Sequence, residues 1–315
     1  MRIVSLLPSA TEIVCALGAG PELVGVSHEC DFPPAVRGLP ALTRPKIRTD
    51  TSSAAIDRSV RALVTHGLGI YEIDVEGLRT LRPDVIVTQE QCAVCAVPYA
   101  EVAAAARSVL GADVAIVSLT PAVLADVWRD IERVGAALGR AARAAAITAT
   151  ARERLGRLAA AAAERPRPVV ACIEWLEPLM LAGNWIPELV ALAGGAYPFV
   201  AAGAASPACA WDALTAAAPE VAVVMPCGFD LAQTRRELAT LAARPEWHTL
   251  PAVRAGRAYA VDGNAYFNRP GPRLVESAEI LAGLVHPDLG RDLVPAGAAE
   301  PIAAGATGLP ERAKT

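Results

Sequence analysis

The sequence has few of the features that mark disulfide-stapled or nucleic-acid-binding proteins. Its 315 residues include seven cysteines and four histidines, and 4% of its residues are aromatic. An odd number of irregularly spaced cysteines does not fit a disulfide framework and suits a reducing compartment. The net charge is -4 and no Arg/Lys run is interleaved with aromatic residues, so nucleic acid is not an expected partner.

Recognisable catalytic motifs are missing as well. The sequence contains no G-x-S-x-G, G-x-x-x-x-G-K-[ST] or H-E-x-x-H, and no G-x-G-x-x-G follows its first strand. Several acids follow predicted strands, but they have neither a nucleophile nor a secure metal site beside them. We therefore predict a protein that binds and does not catalyse, with no required cofactor.

Long apolar spans and targeting signals are also absent from the sequence. The uncharged stretch of residues 189–211 is interrupted by Gly194, Gly195, Pro198, Gly203 and Pro207, so no membrane span is expected. The first strand begins directly after Met1 and Arg2, with no signal peptide ahead of it. As written, the chain is predicted to be cytoplasmic, and it would be extracytoplasmic if its start were truncated.

What the sequence does have is a recurring unit, an apolar β-branched run followed by a polar loop. Continuous apolar strands separated by helical stretches indicate a parallel sheet covered on both faces, with ligands at the carboxyl ends of the strands. The runs cover residues 3–7, 23–27, 85–88, 169–173, 221–225 and 258–261.

Two α/β lobes are expected, because single cores stop growing near ~250–300 residues. An Ala-rich helix is predicted from residue 141 to about residue 164, long enough to join two lobes. The motif Leu-Arg-Pro-Asp-Val at residues 81–85 is echoed by Ala-Ala-Pro-Glu-Val at residues 217–221. The predicted boundaries are an N-terminal lobe over residues 1–139, a linking helix over 140–165, a C-terminal lobe over 166–287 and a flexible tail over 288–315.

Aromatic and charged residues near strand ends are the candidates for ligand contact. Tyr266 and Phe267 precede Arg269 and a rigid Pro-Gly-Pro, a combination that offers stacking and anion contacts. Trp175 and Trp211 lie among acids at strand ends or loops, which favours a ligand wall over core packing. The alternative for Arg269 is an ion pair with a carboxylate of the other lobe.

The cysteines suggest a second type of site. Cys92 and Cys95 have the C-x-x-C spacing of a redox pair or half a metal site, and His28 with Cys30 would complete a tetrahedral zinc or iron site. Without a second such pair the spacing is a modest signal, and purely structural cysteines remain the simplest interpretation.

Four ordered segments resemble the cobalamin-binding and iron-siderophore-binding proteins of ABC importers. The resemblance covers residues 1 to about 285 and implies two Rossmann-like lobes joined by one long helix, with a ligand held in the cleft between them. The matching segments are Arg-Ile-Val-Ser-Leu-Leu-Pro-Ser-Ala-Thr-Glu at residues 2–12, residues 24–34, Leu-Arg-Pro-Asp at residues 81–84 and Phe-Asn-Arg-Pro-Gly-Pro-Arg at residues 267–273.

The resemblance also implies which residues meet the ligand. Aromatics and an Arg line the family's cleft, and the residues aligned with such positions are Trp175, Trp211, Phe267 and Arg269. His28 and Glu29 lie on the loop that supplies a further contact in the family. Two positions depart from the family's pattern. Arg44 stands where the cobalamin binders have a stacking aromatic residue, and Ala217 stands where they have a carboxylate for docking on the permease.

Together these observations predict capture of a corrinoid or another large, partly anionic metal chelate. Aromatic faces would give apolar contact, and Arg269 and Arg44 would orient the ligand. The protein would serve an ABC transporter permease or be a cytoplasmic relative of such receptors. The alternative is a cytoplasmic metal-dependent or redox protein that uses Cys92, Cys95, His28 and Cys30.

Overall fold

The computed structural model describes residues 1–65, 70–90, 99–111 and 114–303. The chain divides into two compact units. The first comprises Met1–Glu153 together with Arg269–Pro272, and the second comprises Arg154–Asn268 and the residues from Arg273 onward. Each unit is α/β, which confirms the fold class predicted from the sequence.

The first unit is built on a parallel sheet of four strands in the order β2-β1-β5-β6. A separate antiparallel pair, β3 and β4, lies in the same unit. The strands are β1 (Ile3–Ser5), β2 (Leu23–Val26), β3 (Thr43–Pro45), β4 (Tyr71–Ile73), β5 (Val85–Gln89) and β6 (Ala115–Leu119). The helices are α1 (Pro8–Ala16), α2 (Ser53–Thr65), α3 (Val75–Leu81), α4 (Tyr99–Leu110) and α5 (Leu124–Ala137), with 3₁₀ turns at Gly20–Glu22 and Pro34–Gly38.

The two central strands of this sheet are its most deeply buried part. Every residue of β1 and β5 is buried, as expected for parallel strands that are covered by helices on both faces. Val4 and Ile86 pack with Leu78 of α3 and Val102 of α4 in one apolar cluster. Burial of these β-branched side chains fixes the direction of the strands, and therefore the edge at which their loops emerge.

A long helix, α6 (Ala141–Ala162), follows α5. Gly139 makes the turn between them with a positive φ of 67°, a conformation that glycine adopts without steric cost. The 22 residues of α6 correspond to a length of ~33 Å. Of the helices among the described residues, none is both long enough and apolar enough to cross a membrane.

The second unit is built on five strands in the order β11-β10-β9-β7-β8. β7, β9 and β10 are parallel, whereas the edge strands β8 and β11 are antiparallel to their neighbours. The strands are β7 (Val170–Trp175), β8 (Met180–Leu181), β9 (Val221–Val224), β10 (Ala258–Val261) and β11 (Ala299–Pro301). The helices are α7 (Ile186–Leu192), α8 (Trp211–Ala216), α9 (Leu231–Ala242), α10 (Pro251–Arg254), α11 (Leu274–Val285) and α12 (Pro287–Gly290), with 3₁₀ turns at Trp247–Thr249 and Arg291–Leu293 and a π-helical turn at Gly263–Phe267.

Both units have the same hydrogen-bonding arrangement before a central strand, in which an acidic residue binds the backbone at the start of the neighbouring strand. Asp84 accepts a hydrogen bond from the backbone N–H of Arg2 at 2.7 Å, and its own N–H donates to the Arg2 carbonyl at 2.8 Å. In the second unit, Glu220 repeats both bonds with Val169, at 3.2 and 2.8 Å. The echo between residues 81–85 and 217–221 therefore corresponds to one repeated hydrogen-bonding arrangement, which satisfies the backbone at the amino end of the neighbouring strand.

Residues 288–303, the described part of the predicted flexible tail, contain helix, turn and strand. Residues 287–293 form α12 and a 3₁₀ turn, and β11 pairs with β10 through Ala299 and Val261. Arg235 of α9 also binds Glu300 through two hydrogen bonds of 2.8 and 2.5 Å. The Gly- and Pro-rich composition that suggested a tail accommodates these turns, while three residues are enough to extend the sheet.

Ala218, which lies two residues before Glu220 in the repeated arrangement, leads to a prediction about stability. Ala218 adopts a positive φ of 46°, which strains any residue that carries a Cβ. We predict that Ala218→Gly raises the free energy of unfolding by ~0.5–1 kcal/mol. Ala213→Gly, in the exposed interior of α8, is the control and should lower it by ~1 kcal/mol. Urea denaturation measures both changes, and a loss of stability in Ala218→Gly would contradict the prediction.

Candidate functional site

The loop that follows β2 carries the main polar candidates of the first unit. His28 and Glu29 come directly after the strand, at the carboxyl edge of the parallel sheet, where the polar loops of such sheets gather. Both side chains are partly exposed, at 23% and 36% of their maximum. The structure therefore presents these two predicted ligand-contact residues to solvent side by side.

The imidazole of His28 is held from below by β3. Its Nδ1 lies 2.7 Å from the hydroxyl of Thr43, which also accepts the backbone N–H of His28 at 3.1 Å. Ser27 contacts the same hydroxyl at 2.9 Å. Burial lowers the pKa of His28 below its usual value, although the neighbouring Glu29 carboxylate and the Thr43 contact oppose the shift. The ring is therefore neutral near neutral pH and is fixed in orientation.

Tyr71 is a site residue that the sequence analysis missed. Its ring packs against the His28 ring with centroids 5.3 Å apart, and its hydroxyl donates to Glu29 Oε1 at 2.8 Å. Tyr71 reaches this position because β4 pairs with β3, so that Tyr71 lies opposite Pro45. The only sequence signal for it is the short alternation of Tyr71, Glu72 and Ile73, which is too brief to predict a pairing across almost thirty residues.

Arg44 projects into solvent from β3. Its side chain is 79% exposed and pairs with Glu72, the residue directly opposite on β4, at 2.5 Å. An exposed ion pair of this kind holds its guanidinium weakly, so Arg44 is available to an anionic group.

Arg269 is buried within the first unit, with its side chain 5% exposed. Its Nη1 donates to Asp31 at 2.6 Å and to Glu12 at 3.1 Å, and the Glu12 side chain is 3% exposed. Arg269 is therefore ion-paired, as the alternative expected, but both carboxylates belong to the same compact unit as Arg269 and not to another lobe. In this arrangement Arg269 braces the loop that carries His28 and Glu29.

The residues proposed for a metal site do not come together in the described part of the chain. The Cys30 thiol is buried 3.0 Å from the Thr11 hydroxyl, and burial raises its pKa to about 11. Such a thiol stays protonated and is a poor metal ligand. Within residues 1–65, 70–90, 99–111 and 114–303, no three His, Cys, Asp or Glu side chains are grouped to bind a metal ion. Cys92 and Cys95 lie outside the described residues.

In the second unit, Trp175 ends β7 at the carboxyl edge of the sheet. The indole is partly exposed and packs against the buried ring of Phe229, with centroids 5.3 Å apart. The neighbouring Glu174 accepts a hydrogen bond from Ser206 at 2.5 Å. Burial raises the pKa of Glu174, and the hydrogen bonds from Ser206 and Gly183 only partly offset this. Trp175 thus has a supported inner face and an accessible outer face.

Trp211 begins α8 and is also partly exposed. The guanidinium of Arg244 lies over its ring at 5.9 Å and donates to Glu177 at 3.3 Å. One face of Trp211 is therefore covered by a cation, and a flat ligand would have to use the remaining face or displace Arg244.

Tyr266 and Phe267 have different environments despite being adjacent. Both lie in the π-helical turn after β10, which Asp262 caps by accepting the Ala265 N–H at 2.7 Å. Tyr266 is partly exposed with Arg273 over its ring at 5.5 Å, whereas Phe267 is 0% exposed. Phe267 therefore has no accessible face in this structure, because the turn directs it into the interior.

Comparison with known proteins places these features in context. A family model described as "Periplasmic binding protein" matches residues 3–265. A comparison with curated proteins finds no match.

Solved structures share the fold over nearly the whole chain. A periplasmic heme-binding protein from Pseudomonas aeruginosa is 23% identical with a TM-score of 0.68, covering 96% of this chain and 95% of its own. The periplasmic heme-binding protein RhuT from Roseiflexus sp. RS-1 is 24% identical with a TM-score of 0.67, covering 91% and 98%. The periplasmic vitamin B12 binding protein BtuF of Vibrio cholerae is 21% identical with a TM-score of 0.64, covering 90% and 96%.

These matches confirm the resemblance stated from the sequence motifs. The family match also confirms the prediction of a binding protein, because the matching family is that of periplasmic binding proteins.

The buried ion pairs of Arg269 predict that this residue stabilises the first unit, a role distinct from direct contact with a ligand. Arg269→Met removes the guanidinium from a carboxylate that is almost fully buried, so we predict a loss of ~3–5 kcal/mol in the free energy of unfolding. Arg44→Met, which breaks an exposed pair, should change it by less than ~1 kcal/mol. Denaturant unfolding measures both. A change of less than ~1 kcal/mol in Arg269→Met would show that Arg269 does not brace the unit.

The state of Cys30 can be tested by its reactivity. Because its pKa is about 11, the thiolate fraction at pH 8 should make alkylation at least ~100-fold slower than for an ordinary thiol. Pulsed iodoacetamide labelling with peptide mass spectrometry would follow Cys30 separately from the other cysteines. The same pulse in guanidinium should label it rapidly. Rapid labelling of the folded protein would instead favour a thiolate at this position.

Proposed function

Because the chain belongs to the periplasmic binding protein family, we propose that it captures a large, flat, partly anionic metal chelate, with a corrinoid as the leading candidate. The three solved neighbours described above are binding proteins for heme or vitamin B12, and both of these ligands are flat rings that hold a metal. Identities below 25% support the fold, so the ligand has to be argued from the side chains of this protein.

The observation that carries the proposal is that each sheet, taken by itself, has supported and partly exposed aromatic or polar groups at its carboxyl edge. Trp175 offers an indole face supported by Phe229. His28 and Glu29 offer polar groups supported by Thr43 and Tyr71. Apolar walls with a few fixed polar groups are what a large, flat ligand requires.

The residues proposed to meet the ligand are those with accessible surface. We assign Trp175, Trp211 and Tyr266 to apolar contact, His28 and Glu29 to polar contact and Arg44 to an anionic group of the ligand. Phe267 and Arg269 support this surface from the interior, since these residues are 0% and 4% exposed as a whole.

The metal-dependent or redox alternative receives less support. It needs Cys30 as a ligand, and that thiol is buried with a raised pKa. Zinc or iron analysis of the purified protein would revive it if about one equivalent of metal copurified.

A transporter partner and the cell compartment form a further part of the proposal. The family's context is capture of small molecules for import, which favours a receptor that meets its ligand outside the cytoplasm. The residue aligned with the family's second docking carboxylate is Ala217, so docking on a permease would need other acids.

Titration with hydroxocobalamin and cyanocobalamin, followed by tryptophan fluorescence, tests the proposed function. We predict saturable quenching with a Kd of ~1 μM or tighter. Trp175→Ala should weaken binding ~10-fold or more, because it removes a central aromatic face. Trp128→Phe, which removes a buried indole of α5, is the control and should dim the emission without changing the Kd. Absence of saturable quenching by both cobalamins would contradict the corrinoid assignment, and hemin titrated in parallel would then identify a porphyrin binder.

A further inference from the structure

The loop after β2 and the two strands beside it form a cluster in which two partly exposed groups rest on three buried ones. His28 and Glu29, here called the reader pair, are 23% and 36% exposed. Beneath them, Ser27, Thr43 and Tyr71 are 4%, 6% and 7% exposed. Buried groups that hold exposed ones in place are typical of a prearranged recognition site.

The hydroxyl of Thr43 restricts where the protons of this cluster can lie. A hydroxyl has one hydrogen to donate and two lone pairs with which to accept. One lone pair accepts the backbone N–H of His28 at 3.1 Å. The remaining donor and acceptor are shared between Nδ1 of His28 and the hydroxyl of Ser27. Either Thr43 donates to Nδ1 while Ser27 donates to Thr43, or both bonds reverse.

The Glu29 carboxylate favours the first arrangement. Nε2 of His28 lies 3.9 Å from Glu29 Oε1, so a proton on Nε2 is favoured by the nearby negative charge, whereas a lone pair there would be repelled by it. With the proton on Nε2, Nδ1 accepts from Thr43, and the hydroxyls of Thr43 and Ser27 are both satisfied. The partly exposed imidazole therefore carries an N–H donor at Nε2.

Glu29 is held as the complementary acceptor. The Tyr71 hydroxyl donates to Oε1 at 2.8 Å, and the Glu29 backbone N–H donates to the Ser27 hydroxyl at 3.4 Å. A carboxylate has capacity for about four hydrogen bonds, so these contacts leave it able to accept from a ligand.

A donor beside an anionic acceptor matches a primary carboxamide. The amide oxygen accepts from Nε2–H, and the amide N–H donates to the carboxylate. The separation of 3.9 Å allows each bond to reach an ordinary length of about 2.9 Å. A carboxylate group in the same place would accept from Nε2 but face the charge of Glu29 with no proton between them.

We propose that the reader pair selects ligands whose rim carries carboxamides over ligands whose rim carries carboxylates, with Thr43 and Tyr71 as positioning residues. This inference rests on the proposed function and narrows it. Among flat metal chelates, corrinoids carry peripheral amides, whereas porphyrins such as heme carry propionate carboxylates. Glu29 is then the specificity-determining residue, because it makes the carboxylate-rimmed class unfavourable.

The test compares two ligands that share one ring and one metal. Dicyanocobinamide carries an amide rim, and dicyanocobyrinic acid carries a carboxylate rim. We expect the wild-type protein to bind the amide form ~10–100-fold more tightly, measured by isothermal titration calorimetry. Raised salt in all titrations screens the long-range repulsion between the acidic protein and the acidic ligand.

Glu29→Gln removes the charge and keeps the shape of the side chain. It should weaken binding of the amide form and strengthen binding of the carboxylate form, so that the preference falls ~10-fold or more. Glu76→Gln, which neutralises an exposed acid of α3 paired with Arg79, is the matched control and should leave the preference unchanged.

The positioning role of Thr43 is tested by a pair of variants. Thr43→Val removes the hydroxyl with little change in size and should weaken the amide form ~5–10-fold, whereas Thr43→Ser keeps the hydroxyl and should restore binding. Rescue by Thr43→Ser would show that binding depends on the hydroxyl and not only on the size of the side chain. Matching circular dichroism spectra would show that all variants are folded alike.

The outcomes separate this inference from the proposed function. Equal affinity for both corrinoids, with no effect of Glu29→Gln on their ratio, would overturn the selection by rim chemistry while leaving a corrinoid binder. Tighter binding of the carboxylate form would overturn the selection as well. Failure to bind either corrinoid would overturn both the selection and the corrinoid assignment.

Discussion

Parallel pairing of strands that are buried on both faces is the constraint on which the rest of this protein depends. A strand cannot reach a parallel neighbour through a tight turn, so β1, β5 and β9 are each followed by a crossover to the next parallel strand. The apolar strands fill the interior, and their loops have to supply the polar groups. All carboxyl ends of a parallel set lie at one edge, so residues far apart in the sequence are presented together there.

The amino and carboxyl edges of each sheet have different roles. At the amino edge, Asp84 and Glu220 satisfy the first backbone groups of the neighbouring strand in the same way, so this edge serves stability. At the carboxyl edge, polar and aromatic side chains are held by buried partners, yet part of their surface stays exposed to solvent. His28 above Thr43, and Trp175 against Phe229, are the clearest cases. Arg269, which is paired with Glu12 of α1, braces the loop from within through its ion pair with Asp31.

The sequence predicts the repeating parts of this architecture well and its local exceptions poorly. Apolar runs locate the parallel strands, and the Pro-acid echo matches a repeated hydrogen-bond arrangement. Composition alone does not show that Phe267 faces inward, because a π-helical turn changes the side-chain direction within two residues. The pairing of β3 with β4 joins two three-residue segments, whose local signal is too short to detect. Tyr71 was therefore missed, although it completes the His28 and Glu29 cluster. The sequence predicts an ion pair of Arg269 only as an alternative, and its burial not at all, since a guanidinium beside an aromatic run fits a ligand contact as well as an ion pair.

Hydrogen exchange with mass spectrometry, performed with and without saturating hydroxocobalamin, tests most directly whether function resides at the carboxyl edges. The account predicts slowed exchange in the segments of residues 27–31, 43–48, 175–178 and 264–268. Peptides at the amino edges, around residues 82–84 and 218–220, should exchange at unchanged rates. Protection confined to the amino edges, or spread evenly over both units, would contradict the account.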